Sequence, residues 1–133
     1  MSRLVITGAS ILNQATADIV IDSGKIVEVA KPGAADTFGA RVIDAAGLIA
    51  LPGFVDLHTP LRGPGREDAE TVESGTRAAA LGGFTCVHAM ANTEPVADTA
   101  GVVEQVWRLG KEAGWCEVRP IGAVTVGLAG THM

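Results

Sequence analysis

The pattern of apolar and polar positions changes once along the chain. Up to residue 51, apolar residues come in short runs separated by turn residues. Leu4-Val5-Ile6 is the first run, and Ile19-Val20-Ile21, bounded by Asp18 and Asp22, is the second. Ser23-Gly24 then leads into Lys25-Ile26-Val27-Glu28-Val29, which alternates with roughly the period of a half-buried strand. A Ser-Gly pair between two such runs predicts a hairpin. A loop rich in Gly, Ala and Pro, residues 31–40, precedes Arg41-Val42-Ile43-Asp44 and Leu48-Ile49-Ala50-Leu51. Residues 1–51 are thus expected to form a small all-β unit.

From Pro52 the period lengthens. Gly53 to Leu57 reads as a strand. Asp68 to Leu81 has helical spacing, with Asp68 as candidate N-cap, Val72, Thr76, Ala79 and Ala80 near one face, and Gly82-Gly83 as the stop. Phe84 to Met90 is a nearly continuous apolar strand, the pattern of a sheet covered on both faces. Asp98 is expected to cap a second helix with a stripe of Val102, Val103, Val106 and Trp107, a Glu104–Arg108 pair at i,i+4, and a stop at Gly114. Val118 to Val126 is the third strand candidate. The order β-α-β-α-β predicts parallel strands joined by right-handed crossovers. Three strands cannot close a (β/α)8 barrel, which takes about 250 residues. Residues 52–133 therefore read as the first βα units of an incomplete barrel, with the remaining strands expected outside this chain.

Composition narrows the class. Of the 133 residues, 47% are hydrophobic and 19% charged, which reads as globular and not disordered. Aromatics are only 4% and tyrosine is absent, so the core must be built from Val, Ile, Leu and Ala. The net charge of -5, with no cluster of Lys or Arg, argues against a nucleic-acid partner. Cys86 and Cys116 sit in apolar surroundings and read as buried free thiols. The apolar run at the N-terminus is too short for a signal peptide. No stretch reaches the roughly 18 apolar residues of a membrane span. A cytoplasmic location is expected.

The chemistry concentrates at Pro52-Gly53-Phe54-Val55-Asp56-Leu57-His58-Thr59-Pro60-Leu61-Arg62. Residues two apart on a strand share a face, so His58 and position 60 would point together from the C-terminal end of the strand, where barrel sites lie. Two histidines there could hold a metal and supply hydroxide near neutral pH, but position 60 is a proline with no ligating atom. Arg62 has the parity of His58 and would reach the same mouth if the strand runs that far. Each residue has a plainer reading. His58 alone suits a hydrogen-bonded structural histidine, and Arg62 a solvated arginine paired with Glu67 or Asp68. Asn92 suits a turn residue, Asp56 a structural acceptor, and His88 a satisfied core histidine.

The ordered set of motifs resembles dihydroorotases of the cyclic amidohydrolase superfamily. It comprises residues 52–58, Leu61-Arg62, Pro64-Gly65-Arg66-Glu67-Asp68, Thr71-Val72-Glu73-Ser74-Gly75, Gly82-Gly83-Phe84-Thr85, Ala89-Met90-Ala91-Asn92-Thr93 and Pro120-Ile121-Gly122-Ala123-Val124-Thr125. The resemblance implies an α/β fold, the N-terminal part of a (β/α)8 TIM-like barrel at 52–133 preceded by a small composite β-sandwich domain at 1–51. It implies reversible interconversion of N-carbamoyl-L-aspartate and dihydroorotate in pyrimidine biosynthesis. His58 would be a zinc ligand, and Arg62 and Asn92 would bind the substrate carboxylate, as a guanidinium fork and a directed amide donor can. No catalytic residue is expected within the chain. Two positions depart from the family pattern: Pro60 stands where it has His, and Gly63 where it usually has Glu. The first favours a non-catalytic dihydroorotase-like partner, for instance of aspartate transcarbamoylase. Hydantoinase or allantoinase is a further reading, and homo-oligomers are within the expectation.

Overall fold

A computed structural model describes residues 3–133. The chain divides into two compact units that meet at Pro52–Gly53.

The first unit is a single mixed sheet. Its strands are β1 (Leu4–Ile11), β2 (Thr16–Asp22), β3 (Lys25–Ala30), β4 (Arg41–Asp44) and β5 (Ile49–Ala50), in the order β3-β2-β1-β4, with β5 pairing β1 beyond β4. β1–β2 and β2–β3 are antiparallel, whereas β4 and β5 run parallel to β1. The Ser23-Gly24 hairpin forms as expected. Both residues have positive φ, 49° and 77°, the geometry of a tight hairpin turn whose twist matches its strands. Val5, Ala9, Ala17, Ile19 and Val20 are buried. β3 is not half-buried: Ile26, Val27 and Val29 are all exposed, because β3 is an edge strand.

The buried Asp18 was not singled out by pattern, yet it organises this unit. Its carboxylate accepts the Gly8 N–H at 2.9 Å through Oδ1, and the Gly33 N–H at 2.8 Å and Ala35 N–H at 3.4 Å through Oδ2. Gly8 has φ +71 and lies where the β1–β2 register slips between Ile6 and Ala9. One side chain therefore pins a bulge and the 31–40 loop together. These backbone donors, Gly8 foremost, hold its carboxyl below the usual carboxylate range against the opposing effect of burial.

The second unit contains β6 (Phe54–Thr59), α1 (Val72–Leu81), β7 (Phe84–Ala89), α2 (Ala100–Ala113) and β8 (Glu117–Pro120). The three strands are parallel in the order β6-β7-β8. Leu61, Val72, Val87, Ala89, Val106 and Val118 form the core, with Phe84 and Leu109 packed against it. Two glycines set how closely layers approach. A Cβ on Gly75 would come within 2.7 Å of Leu61 Cδ2, and one on Gly110 within 2.5 Å of Val118 Cβ. Helix ends follow local chemistry. Gly82 and the left-handed Gly114 (φ 68°) close α1 and α2.

Several boundaries differ from expectation. α1 is capped by Thr71, not Asp68: Thr71 Oγ1 accepts the Ser74 N–H at 3.0 Å, and Ser74 Oγ accepts the Thr71 N–H at 3.1 Å. Asp68 instead pairs with Arg66. Thr99 occupies the N-cap of α2, while Asp98 Oδ2 accepts the Gly127 N–H at 2.8 Å. The ion pair on α2 is Arg108–Glu112 at 4.0 Å, one turn beyond the expected Glu104–Arg108. β8 stops at Pro120, well short of Val126, with the Ile121 N–H making a last bond to Ala89 O at 2.8 Å. β7 is not covered on both faces among the described residues, since Thr85 is exposed and His88 half-buried.

Candidate functional site

The site lies where parallel strands deliver their C-terminal ends. His58 is the penultimate residue of β6, and Asn92 lies three residues beyond the end of β7. The strand ends are joined, because the Met90 N–H donates to Thr59 O at 3.0 Å. The loops that follow are also tied, the Glu94 N–H donating to Pro64 O at 3.0 Å. Gly65, at φ +105, has no room for a side chain against the backbone of Glu94. The topology thus brings the His58, Arg62 and Asn92 segments to one end of one sheet.

Arg62 does not reach that end by strand parity. β6 stops at Thr59, and Arg62 sits in a turn closed by Gly63 N–H to Leu61 O at 2.7 Å and Arg66 N–H to Arg62 O at 2.9 Å. Its φ of 57° is left-handed, a conformation that costs a non-glycine residue about 1–2 kcal/mol and that clusters at functional sites. The side chain is exposed. Its expected pairings are not made: Glu67 receives the Gly65 N–H at 3.0 Å with both oxygens, and Asp68 pairs with Arg66 at 3.3 Å. Arg62 borders a cavity of about 440 Å³ with Thr59, Pro60, Ala69 and Glu70; neither His58 nor Asn92 lines it. Asn92 is exposed as well. A second cavity, about 410 Å³ between the start of α1 and the end of α2, is lined by Glu67, Glu73 and Glu112 among others and belongs to the helical layer.

Asp56 is the best-defined polar residue of the strand end. Its Oδ1 accepts the His58 N–H at 2.9 Å. That donor, followed by the neighbouring Thr59 hydroxyl, holds the carboxyl below the ordinary carboxylate range. The Thr59 hydroxyl lies close enough to add to the field without meeting hydrogen-bond geometry, so its Oγ1 is a buried polar atom without a partner. His88 is half-buried and not a core histidine; its Nδ1 lies 3.3 Å from the Asp56 carbonyl oxygen. Cys86 and Cys116 are free, and burial, reinforced by Cys86 nearby, pushes the Cys116 thiol up.

These donors do not make a metal site by themselves. Position 60 contributes no donor atom, and the Asp56 carboxylate is committed to the His58 N–H. Among the described residues no group of three or more His, Cys, Asp or Glu side chains converges. A zinc ion would need donors beyond those of this chain.

An α/β unit of parallel strands, with polar residues gathered at the strand ends and a separate β unit before it, defines the class. Within that class the match is specific: residues 47–133 fit the dihydro-orotase-like family, and the chain belongs to it. It is 60% identical over 133 residues to a dihydroorotase of Streptomyces coelicolor, covering 100% of this chain and 31% of that protein. A dihydroorotase of Mycobacterium tuberculosis is 55% identical over 116 residues, 87% of this chain and 27% of that one. The chain thus spans about a third of the length of the curated relatives it matches. Among solved structures, L-hydantoinase (dihydropyrimidinase) from Arthrobacter aurescens superposes with a TM-score of 0.82 at 21% identity, over 94% of this chain and 28% of that one, a likeness of fold. Dihydropyrimidinase from Brevibacillus agri superposes with a TM-score of 0.64 at 27% identity, over 93% and 27%.

Proposed function

We propose that this chain is the N-terminal segment of a dihydroorotase, a cyclic amidohydrolase that interconverts N-carbamoyl-L-aspartate and dihydroorotate in pyrimidine biosynthesis. In the hydrolytic direction water adds across a ring amide, the C–N bond breaks, and a carboxylate and a ureido nitrogen are released; ring closure returns the water. On this reading the three parallel strands begin a (β/α)8 barrel. Residues 1–51 form one layer of a β-sandwich, and the protein acts in the cytoplasm.

The observation that carries the reading is Arg62. Its guanidinium is exposed beside a cavity at the strand ends that it shares with Glu70, while Glu67 and Asp68 are engaged elsewhere, and its backbone is held in a costly conformation. It is thereby available to grip the carboxylate that the reaction leaves unchanged, in bidentate fashion. Asn92, on the loop tied to the same turn, adds a directed amide donor. His58 is one donor at the reacting end.

The test is steady-state kinetics on the full protein. Arg62→Lys keeps the charge but loses the fork, so KM for carbamoyl-aspartate should rise by about tenfold or more. An unchanged KM would refute the assignment of Arg62. The 133-residue chain alone should show no turnover, and measurable turnover by it would overturn the division of the site. Pro60 favours a second reading, a non-catalytic dihydroorotase-like subunit associated with aspartate transcarbamoylase or with further copies. An inactive full protein that gains turnover on Pro60→His would establish that reading.

A further inference from the structure

The pairing of β6 with β7 slips at the strand end. Asp56 stands opposite Val87 and Thr59 opposite Ala89, so Leu57 and His58 together face the single residue His88. Two residues against one make a β-bulge, which bends the strand and re-aims a side chain. Two backbone groups at this bulge find side-chain partners. The His58 N–H donates to Asp56 Oδ1 at 2.9 Å, and His88 Nδ1 approaches the Asp56 carbonyl oxygen at 3.3 Å. A carbonyl only accepts, so it is the Nδ1–H tautomer of His88 that can donate across this contact. Asp56 therefore holds the bulge from within β6, and His88 holds it from β7.

The surroundings leave this arrangement without an obvious competitor. His88 shares the open face of the sheet with Val55, Thr85, Cys86, Glu117 and Arg119. Glu117 and Arg119 pair with each other at 3.1 Å. On the other side of the bulge the regular ladder resumes at once, through Met90 N–H to Thr59 O. At the strand end the irregularity is limited to Leu57–His58, apart from a second slip between Phe54 and Val55 at the start of the strand, and its two fastenings are polar side chains and not packing.

We propose that Asp56 and His88 are positioning residues that lock the bulge at Leu57–His58 and so fix the direction in which the His58 imidazole leaves the strand end. The inference deepens the reading of His58 as a site residue and rests on it. A residue that merely completed the strand would loosen the whole of β6 when removed. A residue that locks the bulge loosens it alone.

Hydrogen–deuterium exchange resolved to single amides in the full protein distinguishes the two. Asp56→Ala should accelerate exchange at the His58 N–H by about tenfold, the order expected for one hydrogen bond to a charged acceptor. Met90 N–H should keep its rate. Asp56→Asn, which retains an acceptor oxygen, should restore most of the protection. His88→Phe, which removes the donor, should loosen the same amide, and His88→Gln should tighten it again. This second pair keeps the test decisive if Asp56→Ala fails to fold. With carbamoyl-aspartate, the loosened variants should lose kcat while KM stays within about twofold. An unchanged His58 rate in Asp56→Ala and His88→Phe, or equal acceleration from Phe54 through Thr59 and at Met90, would overturn the proposal. If the unmodified protein shows no turnover, the functional reading falls while the exchange result still decides the role of Asp56 and His88.

Discussion

Gly110 lies on the face of α2 that meets β8, and its replacement by alanine sets two effects of known size against each other. On propensity alone, Gly→Ala inside a helix stabilises by about 1 kcal/mol. Sterics oppose it. The new Cβ would stand 2.5 Å from Val118 Cβ and 2.6 Å from Val118 Cγ2, where carbon atoms prefer about 3.5–4.0 Å. Val118 is 2% exposed and β-branched, and its Cβ is fixed by the strand backbone, so no rotamer change relieves the contact. α2 must move away by about 1 Å, loosening Val106 and Leu109 with it. Overpacking of this kind costs about 1–3 kcal/mol and occasionally more. The net expectation is a loss of up to about 2 kcal/mol, and for a unit of this size roughly 4–8 °C per kcal/mol in melting temperature. Gly101→Ala is the internal control: same helix, nothing within 4 Å of the added atom, and therefore neutral or slightly stabilising. Urea unfolding followed by the fluorescence of Trp107 and Trp115 reads both variants. A Gly110→Ala protein at least as stable as the unsubstituted one would refute the close-packing argument.

Leu61→Ala should destabilise by about 2–5 kcal/mol, because Leu61 is 2% exposed at the centre of the strand–helix core; urea midpoints give the value, and a loss below about 1 kcal/mol would contradict its place there. Arg62→Gly should leave stability unchanged or raise it by up to about 1 kcal/mol, as glycine accepts φ 57° freely. The same variant of the full protein should bind carbamoyl-aspartate more weakly, so a drop in melting temperature with intact binding would reverse both assignments. Asp18 has a folded pKa below its usual 3.8. Its contribution is therefore complete above that value and is lost as pH falls through the lower folded one. Asp18→Asn should lower the urea midpoint at neutral pH, with the difference shrinking as the solution is acidified below 3.8; a difference independent of pH would rule out the charged carboxylate as its source.

The elements were legible where local chemistry decides them. The Ser23-Gly24 hairpin, the glycine stops at Gly82 and Gly114 and the parallel β-α-β order all follow from turn geometry and hydrophobic period. Helix starts were missed by one to three residues because Asp68 and Asp98 are plausible caps whose side chains are claimed by Arg66 and the Gly127 N–H, neither foreseeable from spacing. Parity was the other weak point. A bulge inside β6 and a strand end at Thr59 break the period of two, so the route from His58 to Arg62 could not be read by counting. Asp18 escaped notice because a lone acid before an apolar run carries no signal of the three N–H groups that long-range folding delivers to it. The candidate site residues came from resemblance alone, and the fold brings their segments to one end of one sheet without joining them in one cavity. The site's internal fastenings, Asp56 to His58 and His88 to Asp56, depend on a register that only the paired strands define.

The bond from Glu94 N–H to Pro64 O, with the close approach of Gly65 to the Glu94 backbone, makes the two strand-end loops mechanically one piece. A residue inserted into either loop would displace the anchor of the other. Grafting a single loop from a relative with different substrate preference should therefore fail where grafting both succeeds. Changes of length in segments 60–66 and 91–95 are expected to travel together among descendants of this fold.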